Sequence, residues 1–207
     1  MRFGTFPWVV LFAMVPVGVA GCRATEQPSA RVRAGSPSGG RQDPQASYEP
    51  RSDPGEGQQY LARFVGHWTV VKTFYPRSGD PVVTKGRCTQ KMIHAGRFLE
   101  SDFVFEDPGP ATTGMGIIGY DAATGRFTSF WTDSRSTRIS IRGSEGPFDG
   151  HQIVLFSRTL DDPGTARRSR TVSFLEDGGR KLIHRQYTDT PGSEPRLVMQ
   201  LELTKTR

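Results

Sequence analysis

From about residue 58 onward the chain repeats one arrangement: short runs that alternate apolar and polar residues, each cut off by a turn signal. In R-F-L-E-S-D-F-V-F-E, residues 97–106, Leu99, Ser101, Phe103 and Phe105 fall on one face and Glu100 and Asp102 on the other. A period of two is that of a strand, whereas the faces of a helix repeat about every 3.6 residues. The same kind of run recurs in G-H-W-T-V-V-K-T-F-Y, V-V-T-K-G-R-C-T-Q-K-M-I, T-G-M-G-I-I-G-Y, R-F-T-S-F-W-T-D, T-R-I-S-I-R-G, H-Q-I-V-L-F-S-R, R-T-V-S-F-L-E, K-L-I-H-R-Q-Y and R-L-V-M-Q-L-E-L. Between them stand P-R-S-G-D-P, D-P-G-P and D-A-A-T-G, which are turns. The 24 glycines and 15 prolines supply that punctuation, and long runs of Ala, Leu, Glu and Lys at helical spacing are missing. About ten short strands at near-regular spacing predict an all-β fold, an antiparallel sandwich or up-and-down barrel over residues 58–207. The leader Q-Q-Y-L-A-R-F, residues 58–64, reads as a helical turn closing one end.

The N-terminal residues follow a different logic. Arg2 is followed by P-W-V-V-L-F-A-M-V-P-V-G-V-A and then by Gly21-Cys22. This run is shorter than the roughly 20 apolar residues of a membrane span and is interrupted by Pro7, Pro16 and Gly18. Residues 1–21 therefore read as an export signal. Val19-Ala20-Gly21-Cys22 resembles the lipobox of bacterial lipoproteins, which implies cleavage before Cys22 and acylation of that cysteine. Two or more acyl chains, at about 0.8 kcal/mol per buried methylene, hold a protein stably where one chain is marginal. Arg23, where Asp would favour inner-membrane retention by the same resemblance, points to the outer membrane in a Gram-negative host.

Residues 22–57 carry almost nothing large and apolar and so read as a disordered tether between anchor and domain. The tether's five arginines and five acids balance, which leaves the excess of the chain's net charge of +6 on the folded part. Those basic residues are scattered instead of lining one helix, so nucleic acid is not expected as a partner. The densest run, Arg167-Arg168-Ser169-Arg170, reads as a solvated loop and strand start.

Gly114, Gly116 and Gly119 spell the G-x-G-x-x-G of a dinucleotide-binding turn. That site requires a helix whose N-terminus receives the pyrophosphate, but Tyr120-Asp121 runs into D-A-A-T-G and an aromatic strand. The glycines are instead expected to permit bending, or close approach of a ring or backbone, at a barrel corner.

Phe64-Val65-Gly66-His67-Trp68 resembles the G-x-W that opens lipocalin-like barrels, where the Trp plugs the barrel end. With Gly96-Arg97-Phe98-Leu99, the glycine run through Tyr120-Asp121, Phe127 and Trp131-Thr132-Asp133-Ser134, it is similar to the bacterial DUF1579 family over about residues 58–206. The resemblance implies a lipocalin-like, antiparallel up-and-down barrel and an exported life in some members, and it carries no reaction.

The interior of such a barrel either is filled by side chains or holds one small ligand. Trp131 and Asp133 share one strand face, and Tyr120 ends the neighbouring strand, so these residues, with Trp68 closing the end, form the expected ligand site. His67, His94, His151 and His184 are isolated, without H-E-x-x-H or C-x-x-C spacing, so no metal site is expected. Cys88, the one thiol left beside Cys22, reads as a packed residue, and no G-x-S-x-G elbow occurs. Glu100 and Asp102 look like a solvated outer face. Neither a catalytic residue nor a cofactor is expected. The leading expectation is an envelope lipoprotein whose barrel binds a small apolar or amphipathic ligand. The alternatives are a packed barrel that acts through its surface, and a haem barrel, like the nitrobindin group, in which His184 would be the ligand.

Overall fold

A computed structural model of the chain describes residues 43–49, 51–157, 168–189 and 192–206. The expected export signal, Cys22, most of the expected tether and Arg167 lie outside the described residues. Ten strands close into one antiparallel barrel: β1 (Gly66–Phe74), β2 (Val82–Ile93), β3 (Phe98–Phe105), β4 (Thr112–Asp121), β5 (Arg126–Asp133), β6 (Ser140–Gly143), β7 (Gln152–Ser157), β8 (Arg168–Glu176), β9 (Lys181–Asp189) and β10 (Arg196–Lys205). Each strand pairs with its neighbours in sequence, and β10 returns to β1 from Trp68↔Lys205 to Phe74↔Met199. This is the up-and-down order, one of the two arrangements that the regular spacing allowed and the one that the resemblance implied, and closure leaves no edge to aggregate. The weakest join is β6 to β7, where only Arg142↔Ser157 and Gly143↔Phe156 pair.

The two barrel ends differ because their connections differ. At one end β2 turns into β3 through His94, Ala95 and Gly96, all with positive φ, and β4 turns into β5 through Asp121. The Asp121 carboxylate accepts from the Ala123 amide (3.0 Å) and the Thr124 hydroxyl (2.7 Å), an Asx-turn that fixes the reversal. The same end also holds the longer connection 144–151, which brings Phe148 to the core, and the opposite end carries the connections 75–81, 106–111 and 134–139.

The tight-turn end is plugged. Helix α1 (Glu56–Ala62) begins two residues ahead of the domain boundary expected at residue 58, and its Gly57 lies so close to the Tyr120 ring that a Cβ would sit 2.2 Å from it. Glu56 accepts a hydrogen bond from the Tyr120 hydroxyl (3.0 Å), and Gln58 Nε2 donates to the Tyr120 carbonyl (2.7 Å), so the helix is tied to the barrel wall at both edges of that ring. Tyr60, Leu61 and Phe64 then meet Trp68, Tyr120 and Phe127 in the buried core, with Phe148 packed against it. Ring contacts of 4.9 Å (Tyr120–Phe127), 5.0 Å (Tyr60–Phe148) and 5.1 Å (Phe127–Phe148) are tilted or edge-on, the geometry aromatic quadrupoles favour. Trp68 is 1% exposed, donates Nε1–H to the Phe64 carbonyl at 2.9 Å, and carries the Lys205 ammonium 5.2 Å above its ring.

Candidate functional site

Above that plug the barrel is not filled. A cavity of about 440 Å³ is lined by residues from all ten strands, from Phe64 at the plug to Phe74 and Arg135 at the long-loop end. Phe74 is 46% exposed, so the lining reaches the surface there. The volume falls in the range of small-molecule pockets, roughly 300–1,000 Å³, and exceeds the voids that close packing leaves in a filled core.

One wall is aromatic and apolar. Phe103 stacks on Phe105 at 5.6 Å and meets the Trp131 ring edge-on at 5.5 Å. The Trp131 ring lies flat against β4 because Gly114 and Gly116 face it: a Cβ on Gly114 would stand 2.3 Å from Trp131 Cζ2, and one on Gly116 3.1 Å from Cε3. Gly119 makes the same allowance for Phe98, whose Cδ1 would lie 2.7 Å from an added Cβ. The glycine motif thus receives rings, and the turn after it leads into strand β5 with no helix to hold a phosphate. Trp131 Nε1 donates to Asp133 Oδ2 (2.8 Å), whose other oxygen accepts from the Arg135 amide (2.9 Å). The carboxylate therefore orients the indole instead of projecting freely into the cavity.

The sequence-predicted residues separate into two groups. Trp131 and Asp133 line the cavity, whereas Trp68 and Tyr120 belong to the plug beneath it. Cys22 lies outside the described residues. Glu100 and Asp102 stand on the outer face opposite the lining residues Leu99, Ser101 and Phe103, and Glu100 pairs there with Lys91 at 2.7 Å. Cys88 is buried, and burial pushes its thiol well above the ordinary range, so it is an inert packed residue.

The opposite wall is polar. Ser140 and Arg142 of β6, Thr171 and Ser173 of β8, and His184 and Gln186 of β9 all face inward. His184 Nδ1 is 2.8 Å from Ser173 Oγ. Burial, helped by the nearby Arg142 charge, pushes the imidazole down to about 4, so it is neutral at neutral pH. Burial also lowers the Arg142 guanidinium, although an arginine stays charged in any case, and its Nε is buried without a hydrogen-bond partner. Lys72, the other inward cation, is compensated: its Nζ lies 3.0 Å from Asp107 Oδ1 and 4.4 Å from the Phe105 ring. The Asp107 carboxylate is held below its usual range by hydrogen bonds from Thr112 and Lys72. Among the described residues no group of three or more His, Cys, Asp or Glu is placed to hold a metal ion.

Of this wall, sequence reasoning singled out His184 alone, as a haem ligand, and neither Arg142 nor the polar character of the wall. A signal was present in S-I-R-G, where Ser140 and Arg142 share one face and Ile141 takes the other, a polar-inward alternation that marks a lined cavity once the inward face is known.

Comparison with known proteins gives a family and a fold. The family model described as "Protein of unknown function (DUF1579)" matches residues 53–205. No curated protein matches the sequence. Among solved structures the chain is similar to the "Crystal Structure of Rv2717c from M. tuberculosis", with 15% sequence identity and a TM-score of 0.50 over 75% of this chain and 100% of that one. At that identity the likeness is one of fold.

Proposed function

The chain belongs to the DUF1579 family, and from that premise we propose that its barrel is a binding module for a small apolar or amphipathic molecule, held at the cell envelope by acyl chains on Cys22. One observation carries the binding half of this reading: the interior above the plug is a cavity of about 440 Å³ whose aromatic wall is held in place by dedicated glycines. A barrel selected for stability alone would fill that space, because unfilled volume forfeits dispersion contacts. Native mass spectrometry of the protein purified gently from bacteria should show excess mass that disappears on denaturation. A clean apo mass, together with failure to take up any apolar probe, would instead favour a barrel that acts through its surface.

A haem reading is favoured by one observation, the placement of His184 in the cavity wall with its imidazole neutral at neutral pH. A Soret band in the same preparation would bring that reading forward, and its absence in a mass-loaded protein would eliminate it.

The anchoring half of the proposal rests on the lipobox-like Val19-Ala20-Gly21-Cys22. Replacing Cys22 with alanine should move the protein from the membrane fraction to the soluble envelope fraction in a fractionation experiment. Unchanged membrane attachment would mean that an uncleaved leader or the domain itself holds the protein there.

A further inference from the structure

The polar wall of the cavity contains a positive charge with no partner. Of the charged side chains that line the cavity, Lys72 is paired with Asp107, and Asp133 accepts from Trp131 and from the Arg135 backbone. Arg135 is exposed at the rim, where water solvates its guanidinium. Arg142 differs from all of these. It lies within the wall, its Nε is buried without an acceptor, and among the described residues it has no ion pair and no side-chain hydrogen bond. Removing an ion from water costs several kcal/mol, which natural cores offset with a counter-ion or a set of acceptors. Here the space beside the guanidinium is the cavity itself.

Resting on the binding reading above, we propose that the ligand is an amphiphile with a single carboxylate head group, which pairs with Arg142 while its hydrocarbon lies against Phe103, Phe105 and Trp131. The planar fork of a guanidinium matches a carboxylate with two parallel hydrogen bonds. Ser173 and His184, on the mutually paired strands β8 and β9, offer further polar contacts to the same head group. A phosphate dianion fits less well: Arg142 is the one inward cation without a partner among the described residues, and the Asp133 carboxylate faces the same space. A cationic head group would meet Arg142 with like charge. The layout also suits an amphiphile: the rings of Phe103, Phe105 and Trp131 come from β3 and β5, and the polar side chains around Arg142 from β6, β8 and β9, with Ile153 and Leu155 of β7 between them.

The test uses the Cys22→Ala chain, so that no acyl chain of the protein's own can enter the cavity. N-phenyl-1-naphthylamine, an uncharged fluorescent probe, is bound first and then displaced with dodecanoate, dodecan-1-ol or dodecyltrimethylammonium, each below its aggregation concentration. The proposal expects dodecanoate to displace the probe at a concentration at least tenfold lower than either competitor. Arg142→Gln should reduce that preference to within twofold, and Arg142→Lys should keep part of it. Equal displacement by all three amphiphiles, or preference for the alcohol or the cation, would overturn the carboxylate assignment and leave the binding reading standing. A preference that survives Arg142→Gln would also overturn it, because the head group would then be read elsewhere. Failure of the neutral probe to bind at all would overturn both. The three-amphiphile comparison on the unaltered cavity decides the matter even if an Arg142 variant does not fold.

Discussion

Replacing Trp68 with alanine should cost the barrel about 3–5 kcal/mol of unfolding free energy, the range expected when a fully buried indole is truncated. The residue is 1% exposed and sits where α1, β1 and β10 converge. Its ring is packed on one side by the plug and capped on the other by the Lys205 side chain. Its Nε1–H fixes the Phe64 carbonyl just after the helix ends, so truncation would leave that acceptor without a partner as well as leaving a cavity. Trp131 is the control within the same protein. It has the same side chain but lies beside open space, where one side of the ring has fewer partner atoms to lose. Urea unfolding of the Cys22→Ala background should therefore show a much smaller loss for Trp131→Ala than for Trp68→Ala. Equal losses, or a Trp68 effect within error, would mean that Trp68 does not plug the barrel.

The contrast between these two tryptophans also shows how far the sequence is legible. Period-two alternation depends only on neighbouring residues, so it placed Leu99, Phe103 and Phe105 on the inner face of β3, and Trp131 with Asp133 on that of β5. Turn chemistry is equally local, which is why the reversal at Asp121 could be read directly. Height along the barrel axis is a different kind of property. Trp68 closes the barrel end as the resemblance implied, yet Tyr120, which faces inward as expected, belongs to that plug too, because register across ten strands decides which inward residues meet α1 and which border the cavity. No local pattern contains that sum. The same limit hid the polar wall: in β8 and β9 the outward Val172, Phe174 and Ile183 are more apolar than the inward Ser173 and His184, so hydrophobicity alone would have turned the strands the wrong way. His184 was singled out for a possible iron. What its position displays is a neutral imidazole hydrogen-bonded to Ser173 beside an uncompensated arginine.

That arrangement gives the protein a specific weakness toward acid. His184 is pushed down to about 4 in the folded barrel, first by burial and then by the Arg142 charge, against an ordinary value of about 6.5 in the unfolded chain. Between those two values the unfolded state binds the proton and the folded state does not, so stability rises with pH across the window and is lost as pH falls through it. At about 1.4 kcal/mol per pH unit of difference, the loss from pH 6.5 to 4 amounts to about 3 kcal/mol. The structured carboxylates act elsewhere on the scale. Asp107, Asp121, Asp149 and Asp177 are all held below their usual range by hydrogen bonds, so their contribution is intact above that range and disappears only at still lower pH. Their loss begins only below about pH 5, where the unfolded chain starts to protonate, so the interval from pH 6.5 to about 5 isolates the imidazole among these groups. Unfolding free energies measured across it should fall steeply for the Cys22→Ala chain and nearly level off when His184 is also replaced by leucine. Parallel curves for the two proteins would show that His184 is not desolvated in the native barrel, and that the cavity wall beside Arg142 is wet enough to accept a second positive charge.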